Sequence, residues 1–104
     1  MKEDLNQHII LNTLTLHQNQ LNDFGVREIG LFGSYISNNQ EKESDIDLLV
    51  DLKPEMKTFK NYMKLVYYLE DLFGRKVDLI TKQSLSPYIG PHILKTVQYA
   101  ALSN

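Results

Sequence analysis

The most constraining feature of this sequence is a Gly-Ser pair separated by ten residues from two aspartates at alternate positions. Gly33 and Ser34 close an apolar run, and Asp45 and Asp47 open another. Each run has the length and composition of a β-strand. Residues two apart in a strand point to the same face, so Asp45 and Asp47 are predicted to project side by side. Two carboxylates on one strand suit Mg²⁺, which protein carboxylates and substrate phosphates bind together.

The composition is that of one ordinary domain and excludes several classes of function. The 104 residues are expected to form a single domain spanning 1–104. A net charge of −2 argues against a protein that binds the phosphate backbone of nucleic acids, so no direct nucleic-acid binding is expected. Without cysteine there is no thiol chemistry and no zinc–thiolate site. The apolar runs are too short for a membrane span and the start has no signal-peptide core, so a cytoplasmic location is expected.

Hydrophobic periodicity in the first half predicts one helix and two strands. Apolar residues recur three and four apart over about residues 3–24, which indicates a helix that stops at Gly25. Residues 26–32 and 46–52 are predicted strands, joined by a polar loop over 37–43. In the second strand the even-numbered residues form one apolar face. The other face carries Asp45, Asp47, Leu49 and Asp51.

The second half predicts two more helices around a third strand. Residues 57–73 form a helix capped by Gly74, residues 77–81 a strand, and Ser86-Pro87 begin a last helix that runs to about Leu102. The buried stripe of the first of these helices is predicted to be Phe59, Met63, Val66, Leu69 and Phe73. The order α-β-β-α-β-α indicates an α+β fold, a small mixed sheet of three or slightly more strands packed by helices.

Asp78 in the third strand is the next candidate for chemistry. Val77 and Leu79 should face the core, so Asp78 emerges on the opposite face. If the third strand lies beside the second, Asp78 joins Asp45 and Asp47. Three carboxylates on adjacent strands can hold two divalent metals, one on a triphosphate and one that lowers the pKa of an attacking hydroxyl. Asp78 is also the candidate to take the proton from the nucleophile.

Gly33 and Ser34 supply the groups that a phosphate needs. Glycine lets a phosphate approach the backbone, and the Ser34 hydroxyl and nearby amides can donate to β- and γ-phosphate oxygens. The reaction indicated is attack on the α-phosphorus of a nucleoside triphosphate, with pyrophosphate leaving. Taken singly, these residues have simpler interpretations: a turn, a solvated strand edge and a solvent-facing aspartate. Their combination on strand–turn–strand, with a third carboxylate after a helix, favours the catalytic interpretation.

This set of residues resembles the polymerase-beta-like nucleotidyltransferase superfamily. The resemblance rests on Gly33-Ser34, Asp45-x-Asp47 with its apolar continuation, and the later Asp78 within Lys-Val-Asp-Leu. It extends from about Leu14 to the C-terminus. At this length the chain looks like a minimal nucleotidyltransferase (MNT) protein.

The resemblance implies a specific activity and partner. Such proteins are typically antitoxins that transfer AMP from ATP to a tyrosine of a HEPN-domain ribonuclease toxin and so silence it. Carried over by position, Gly33 and Ser34 would bind the nucleotide, and Asp45, Asp47 and Asp78 would be the catalytic and metal-binding carboxylates, with Mg²⁺ in a two-metal site. The tyrosines and the apolar last helix favour a homodimer or a heterocomplex.

One departure from the family pattern leaves other functions open. Many relatives have Ala-Arg-Gly after the Gly-Ser-aromatic step, whereas this chain has Ile36, Ser37 and an asparagine. Lys42, Arg75 and Lys82 are candidates to compensate for the missing basic residue. The alternatives are a non-catalytic antitoxin that masks its toxin by binding, and a free-standing nucleotidyltransferase with a small-molecule acceptor. A domain of 104 residues leaves little room for an acceptor-binding domain, which disfavours the last alternative.

Overall fold

The computed structural model describes residues 5–37, 39–40 and 44–103. Five helices and four strands alternate along this part of the chain. In chain order they are α1 (Gln7–Leu16), α2 (Gln18–Asp23), β1 (Val26–Phe32), α3 (Ser34–Ser37), β2 (Ile46–Leu52), α4 (Phe59–Phe73), β3 (Val77–Thr81), α5 (Gly90–Thr96) and β4 (Gln98–Tyr99). Two single 3₁₀ turns, Pro54–Met56 and Lys82–Ser84, follow β2 and β3. No helix in these ranges is long and apolar enough to cross a membrane.

The strands form one mixed sheet in the order β3-β2-β1-β4. β1 runs antiparallel to β2 and to β4, and β2 runs parallel to β3, with α4 as the crossover between them. The three predicted strands are confirmed, and so is the α+β class with a mixed sheet. The fourth strand, β4, is short and was not predicted from the sequence.

Strict alternation along β2 separates two apolar clusters on opposite faces of the sheet. The even-numbered residues are buried in the main core with α1, α2 and α4; they are Ile46, Leu48, Val50 and Leu52. Leu49 faces the other way and packs in a smaller cluster with Phe32, Ile93 and Val97. The predicted division of the strand into two faces is therefore confirmed, and the aspartates lie on the face with the smaller cluster.

Helix α4 forms as predicted, but its buried stripe differs. Thr58 accepts a hydrogen bond from the Asn61 amide (3.1 Å) as N-cap, and Gly74 ends the helix in the left-handed conformation at φ +63°. The buried residues are Leu65, Leu69 and Phe73. Phe59 is 80% exposed, because it lies in the first turn before the helix reaches the core. The prediction that Phe59 begins the buried stripe is wrong.

The N-terminal helix is divided at His17 within the described residues. The ring Nδ1 of His17 lies 2.8 Å from the Thr13 carbonyl oxygen, and its backbone leaves the helical region at φ −105°, ψ 23°. Ile10, Leu14 and Leu21 remain on one buried stripe across the break. The predicted start before Leu5 and much of the predicted loop over 37–43 lie outside the described residues. Ser34–Ser37 forms the short helix α3.

The C-terminal segment is where the sequence prediction fails most. The last helix ends at Thr96 instead of about Leu102, and Val97 turns to extended backbone. Gln98–Tyr99 then pairs with Gly30 and Leu31 of β1. The Ser86 hydroxyl accepts from the Ile89 amide at 3.0 Å, but this caps a turn that precedes α5.

Candidate active site

The face of the sheet opposite the main core carries three rows of paired residues. We call the first row the site row; it consists of Phe32, Asp47 and Asp78. The covered row consists of Gly30, Leu49 and Ile80, and the distal row of Glu28 and Asp51. Ile93 of α5 and the following Val97 pack over the covered row. The site row therefore lies at the edge of this cover, with Asp78 exposed and Asp47 half-buried.

Asp47 is the electrostatic centre of the site row. Partial burial, the neighbouring Asp78 carboxylate and then the Asp45 carboxylate raise the pKa of Asp47 from 3.8 to about 6. This repulsion means that the three predicted carboxylates are close enough to interact. The structure thus brings Asp45, Asp47 and Asp78 together at one end of the sheet, where β2 and β3 begin.

The carboxylates are neighbours, although their side chains do not converge on one point. Among the residues that the structure describes, no three His, Asp or Glu side chains are placed to hold a single metal ion together. The donor set nevertheless fits Mg²⁺, which prefers hard oxygen ligands and usually takes only one or two carboxylates from the protein. The raised pKa of Asp47 points the same way, because a cation between like charges relieves their repulsion.

Gly33 lies directly against the Asp47 carboxylate. It ends β1 at φ +76°, a conformation that L side chains rarely adopt. A Cβ built on Gly33 would overlap Asp47 Oδ2. Ser34 follows as the first residue of α3 and is half-buried. The predicted nucleotide-binding pair therefore borders the site row, with backbone exposed where a side chain would block it.

The basic residues considered as substitutes for the missing family arginine are engaged elsewhere. Arg75 Nη1 donates to the Tyr35 hydroxyl at 3.2 Å. Lys82 donates to Glu28 Oε1 at 2.7 Å in the distal row and lies over the Tyr99 ring. Lys42 lies outside the described residues. The expectation that Arg75 or Lys82 compensates at the site finds no support in these contacts.

Gly30 has a role in shaping the site that sequence reasoning missed. A Cβ on Gly30 would lie 2.6 Å from Val97 Cγ2 and 3.0 Å from Tyr99 Cδ1. Glycine at this position lets Val97 and β4 close over the covered row. The available signal was a glycine inside a strand pattern, which marks a bulge or a close approach of another segment.

Comparisons with known proteins agree with this geometry. The family model for the nucleotidyltransferase domain matches residues 16–100. Protein adenylyltransferase MntA of Thermococcus cleftensis is 43% identical over 91 residues, which cover 86% of this chain and 91% of that protein.

Solved structures share the fold. A minimal nucleotidyltransferase superposes with a TM-score of 0.78 and 22% identity, covering 93% of this chain and 98% of that one. A toxin–antitoxin structure with AMP-PNP has a TM-score of 0.68 and 24% identity, covering 96% and 76%. A complex of tri-AMPylated Shewanella oneidensis HEPN toxin with MNT antitoxin has a TM-score of 0.56 and 20% identity, covering 85% and 71%.

The family match spans most of the chain, and the identity to MntA extends over nearly all of that relative. Both agree with the resemblance drawn from the Gly-Ser pair and the three aspartates. The chain belongs to the nucleotidyltransferase domain family, in the group of the protein adenylyltransferase MntA.

Proposed function

We propose that this chain is a Mg²⁺-dependent adenylyltransferase that transfers AMP from ATP to a tyrosine of a HEPN ribonuclease toxin and so acts as its antitoxin in the cytoplasm. The observation that carries the proposal is the pairing of Asp47 with Asp78 against the backbone of Gly33. The name of the MntA relative and the AMPylated toxin in a structurally similar complex support the choice of AMP and of a protein acceptor.

Each residue of the site has a distinct task in this proposal. Asp45 and Asp47 would hold Mg²⁺, and Asp78 is the third carboxylate. The Gly33 backbone and the Ser34 hydroxyl bind the β- and γ-phosphates. When bound, Mg²⁺ neutralises charge on the triphosphate and lowers the pKa of the attacking hydroxyl. The like-charge repulsion on Asp47 supports this assignment, because it favours occupancy by a cation.

The transfer step is an in-line displacement at phosphorus. The phenolic oxygen of the acceptor tyrosine forms a bond to the α-phosphorus, and the bond from that phosphorus to the oxygen bridging to the β-phosphate breaks. Pyrophosphate leaves with the bonding pair. The phenolic proton moves to the Asp78 carboxylate and from there to solvent. The product is a tyrosine carrying AMP through a phosphodiester bond.

The openness of the site row supports a macromolecular acceptor over a small molecule. Asp45 and Asp78 are exposed, and the packing of Ile93 and Val97 lies over the neighbouring covered row. Small-molecule sites usually enclose most of their ligand, whereas a docked protein brings its own surface to the site. The exposed carboxylates of Asp45 and Asp78 are accessible to a tyrosine on another protein.

Intact mass spectrometry of the partner toxin tests the proposal. The toxin is incubated with ATP, Mg²⁺ and far less than one equivalent of this protein, and a gain of one or more AMP units is expected. Asp45→Ala combined with Asp47→Ala should abolish the gain. Asp51→Asn is the matched control, because Asp51 lies on the same face of β2 but in the distal row, bonded to Gln83 at 3.2 Å.

Three outcomes would contradict the proposal. Full labelling by the double aspartate variant would remove the carboxylates from the mechanism. An unmodified toxin that is inhibited only in a complex with an equal amount of this protein would favour the masking alternative. Activity on a small hydroxylated acceptor without any toxin would favour the free-standing enzyme.

A further inference from the structure

We infer that Tyr62 and Glu70 of α4 are positioning residues for Asp78, because each anchors one backbone group of a residue next to Asp78 on β3. This inference rests on the proposed role of Asp78 in the site. Neither residue touches the reacting atoms in the proposed mechanism. Both act through the strand that carries the carboxylate.

β3 lies at one edge of the sheet. Within the part of the chain that the structure describes, β3 pairs with β2 alone, and the Ile46 amide donates to the Lys76 carbonyl at 3.0 Å. In a parallel ladder, successive residues alternate between directing their backbone groups to the partner strand and away from it. Lys76 and Asp78 therefore direct theirs to β2, whereas Val77 and Leu79 direct theirs outward to the free edge.

Side chains of α4 bond to one outward group of each of these two residues. The Val77 amide donates to Glu70 Oε2 at 3.2 Å. The Tyr62 hydroxyl donates to the Leu79 carbonyl oxygen. Without these side chains, the outward backbone groups of an edge strand would bond to water or to another chain. Such bonds would not fix the position of β3 relative to α4. One anchor precedes Asp78 by one residue, and the other follows it by one.

The anchors hold the outer edge of a short strand whose apolar side chains pack in the main core. The Val77 and Leu79 side chains are buried in the main core beneath α4, at 5% and 4% exposure. Burial and the Asp78 carboxylate both raise the pKa of the Tyr62 hydroxyl, which places that hydroxyl within the electrostatic field of Asp78. Loss of either anchor would let the backbone shift locally and move the carboxylate away from Asp47.

Tyr62→Phe and Tyr68→Phe form a matched pair for testing the first anchor. Both changes remove one hydroxyl from α4, but the Tyr68 hydroxyl is buried without a hydrogen-bond partner among the described residues. In AMP transfer to the toxin, Tyr62→Phe is expected to lower kcat about tenfold, the lower end of losses seen when a ligand's orienting partner is removed. KM for ATP should stay within about twofold, because the contacts of Gly33 and Ser34 with phosphate are retained. Tyr68→Phe should change neither constant.

Glu70 offers a conservative rescue. Glu70→Ala removes the acceptor for the Val77 amide and should lower kcat in the same way as Tyr62→Phe. Glu70→Gln keeps a side-chain oxygen that can accept this hydrogen bond, so its kcat should stay within about twofold of wild type. Equal losses in the alanine and glutamine variants would contradict the anchoring role.

A readout without turnover separates this inference from the proposed function. Mn²⁺ titration followed by electron paramagnetic resonance should show several-fold weaker binding in Tyr62→Phe than in Tyr68→Phe. The rate of amide hydrogen exchange in β3 should rise in Tyr62→Phe and stay unchanged in Tyr68→Phe. If the wild-type protein transfers no AMP, but the two variants still differ in Mn²⁺ binding and in hydrogen exchange, the proposed function is contradicted and the inference stands. Identical Mn²⁺ binding and exchange in the two variants would overturn the inference.

Discussion

The backbone of Gly33 packs directly against the carboxylate of Asp47. A Cβ built on Gly33 would overlap Asp47 Oδ2 and would lie 3.0 Å from Asp47 Cγ. The residue also has φ +76°, so glycine is favoured here for both conformation and space. The turn that we propose binds phosphate is therefore in direct contact with the Asp47 carboxylate.

Gly33→Ala is expected to impair AMP transfer much more than folding. The added methyl group must push the Asp47 carboxylate aside, and displacement of a catalytic group by about 1 Å can cost ~100-fold in rate. The measurement is kcat/KM for AMP transfer, with thermal unfolding recorded in parallel.

Gly74→Ala is the control for this change. Gly74 also has positive φ, at +63°, but it serves as the C-cap of α4 and is not a residue of the site row. The alanine variant should lose about 1 kcal/mol of stability and keep its activity well below the unfolding temperature. If Gly74→Ala and Gly33→Ala lose activity equally, the effect of Gly33 is general strain and not contact with Asp47.

Asp47 is expected to make the metal-free protein less stable as the pH rises. Its folded-state pKa is about 6 and its ordinary value is 3.8, so the folded state holds this proton more tightly. The resulting stability is fully present below pH 3.8 and is lost as the pH rises through about 6. Because Asp47 is only half-buried, solvent screening reduces the effect to about 1 kcal/mol.

Urea unfolding with a chelator present tests this prediction across a pH series from acid to neutral. Asp47→Asn should be more stable than wild type at neutral pH, and the difference should vanish as the pH falls toward the ordinary pKa of an aspartate. Asp51→Asn controls for the loss of a carboxylate from the same face of β2. If the difference in stability between wild type and the Asp47→Asn variant does not vary with pH, Asp47 titrates normally.

Tyr68→Phe is expected to stabilise the protein by about 1 kcal/mol, because an unsatisfied buried polar group carries a desolvation penalty of that order. The Tyr68 ring packs on Phe24 with 5.3 Å between ring centres, a contact that phenylalanine keeps. Burial also raises the pKa of the Tyr68 hydroxyl, in agreement with a poorly solvated site. Thermal unfolding should show an increase of a few degrees in midpoint. A decrease would indicate that the hydroxyl has a partner, such as an ordered water molecule.

Ser37→Arg tests the departure from the family pattern. Ser37 is exposed at the end of α3, and its hydroxyl donates to the Ser34 carbonyl at 3.3 Å. A guanidinium here can reach toward a phosphate bound at Gly33 and Ser34, and charged hydrogen bonds contribute about 1.5–3 kcal/mol. We expect KM for ATP to fall several-fold. Ser37→Lys should lower KM for ATP less, since an ammonium group lacks the planar geometry for two parallel hydrogen bonds to a phosphate. No change in either variant would mean that this position does not approach the nucleotide.

The strands and the carboxylates could be predicted because their signals are local. β1, β2 and β3 have the predicted bounds, and alternation along β2 placed Asp47 and Leu49 on the face away from the main core. That Asp78 joins them depended on β3 pairing beside β2. The sequence left that pairing as a condition, and the structure meets it.

The errors arise where a distant segment decides the outcome. Val97 leaves the helical conformation because the following residues pair with Gly30 and Leu31, far away in sequence, and helix periodicity carries no information about that pairing. The exposure of Phe59 depends on where α4 first meets the core. The hydrogen bonds of Tyr62 and Glu70 to β3 likewise join side chains to backbone groups that no motif marks.

The alternation of β2 also has a consequence for folding specificity. Because side chains repeat with a period of two, sliding β2 by one residue against its neighbours would turn Asp45, Asp47 and Asp51 toward the main core. Burying three unpaired carboxylates in an apolar interior costs far more free energy than the pairing of the slipped strand would gain. The charges that make the site therefore also select the correct strand alignment, and replacing them all with neutral residues would remove a barrier to misfolding along with the chemistry.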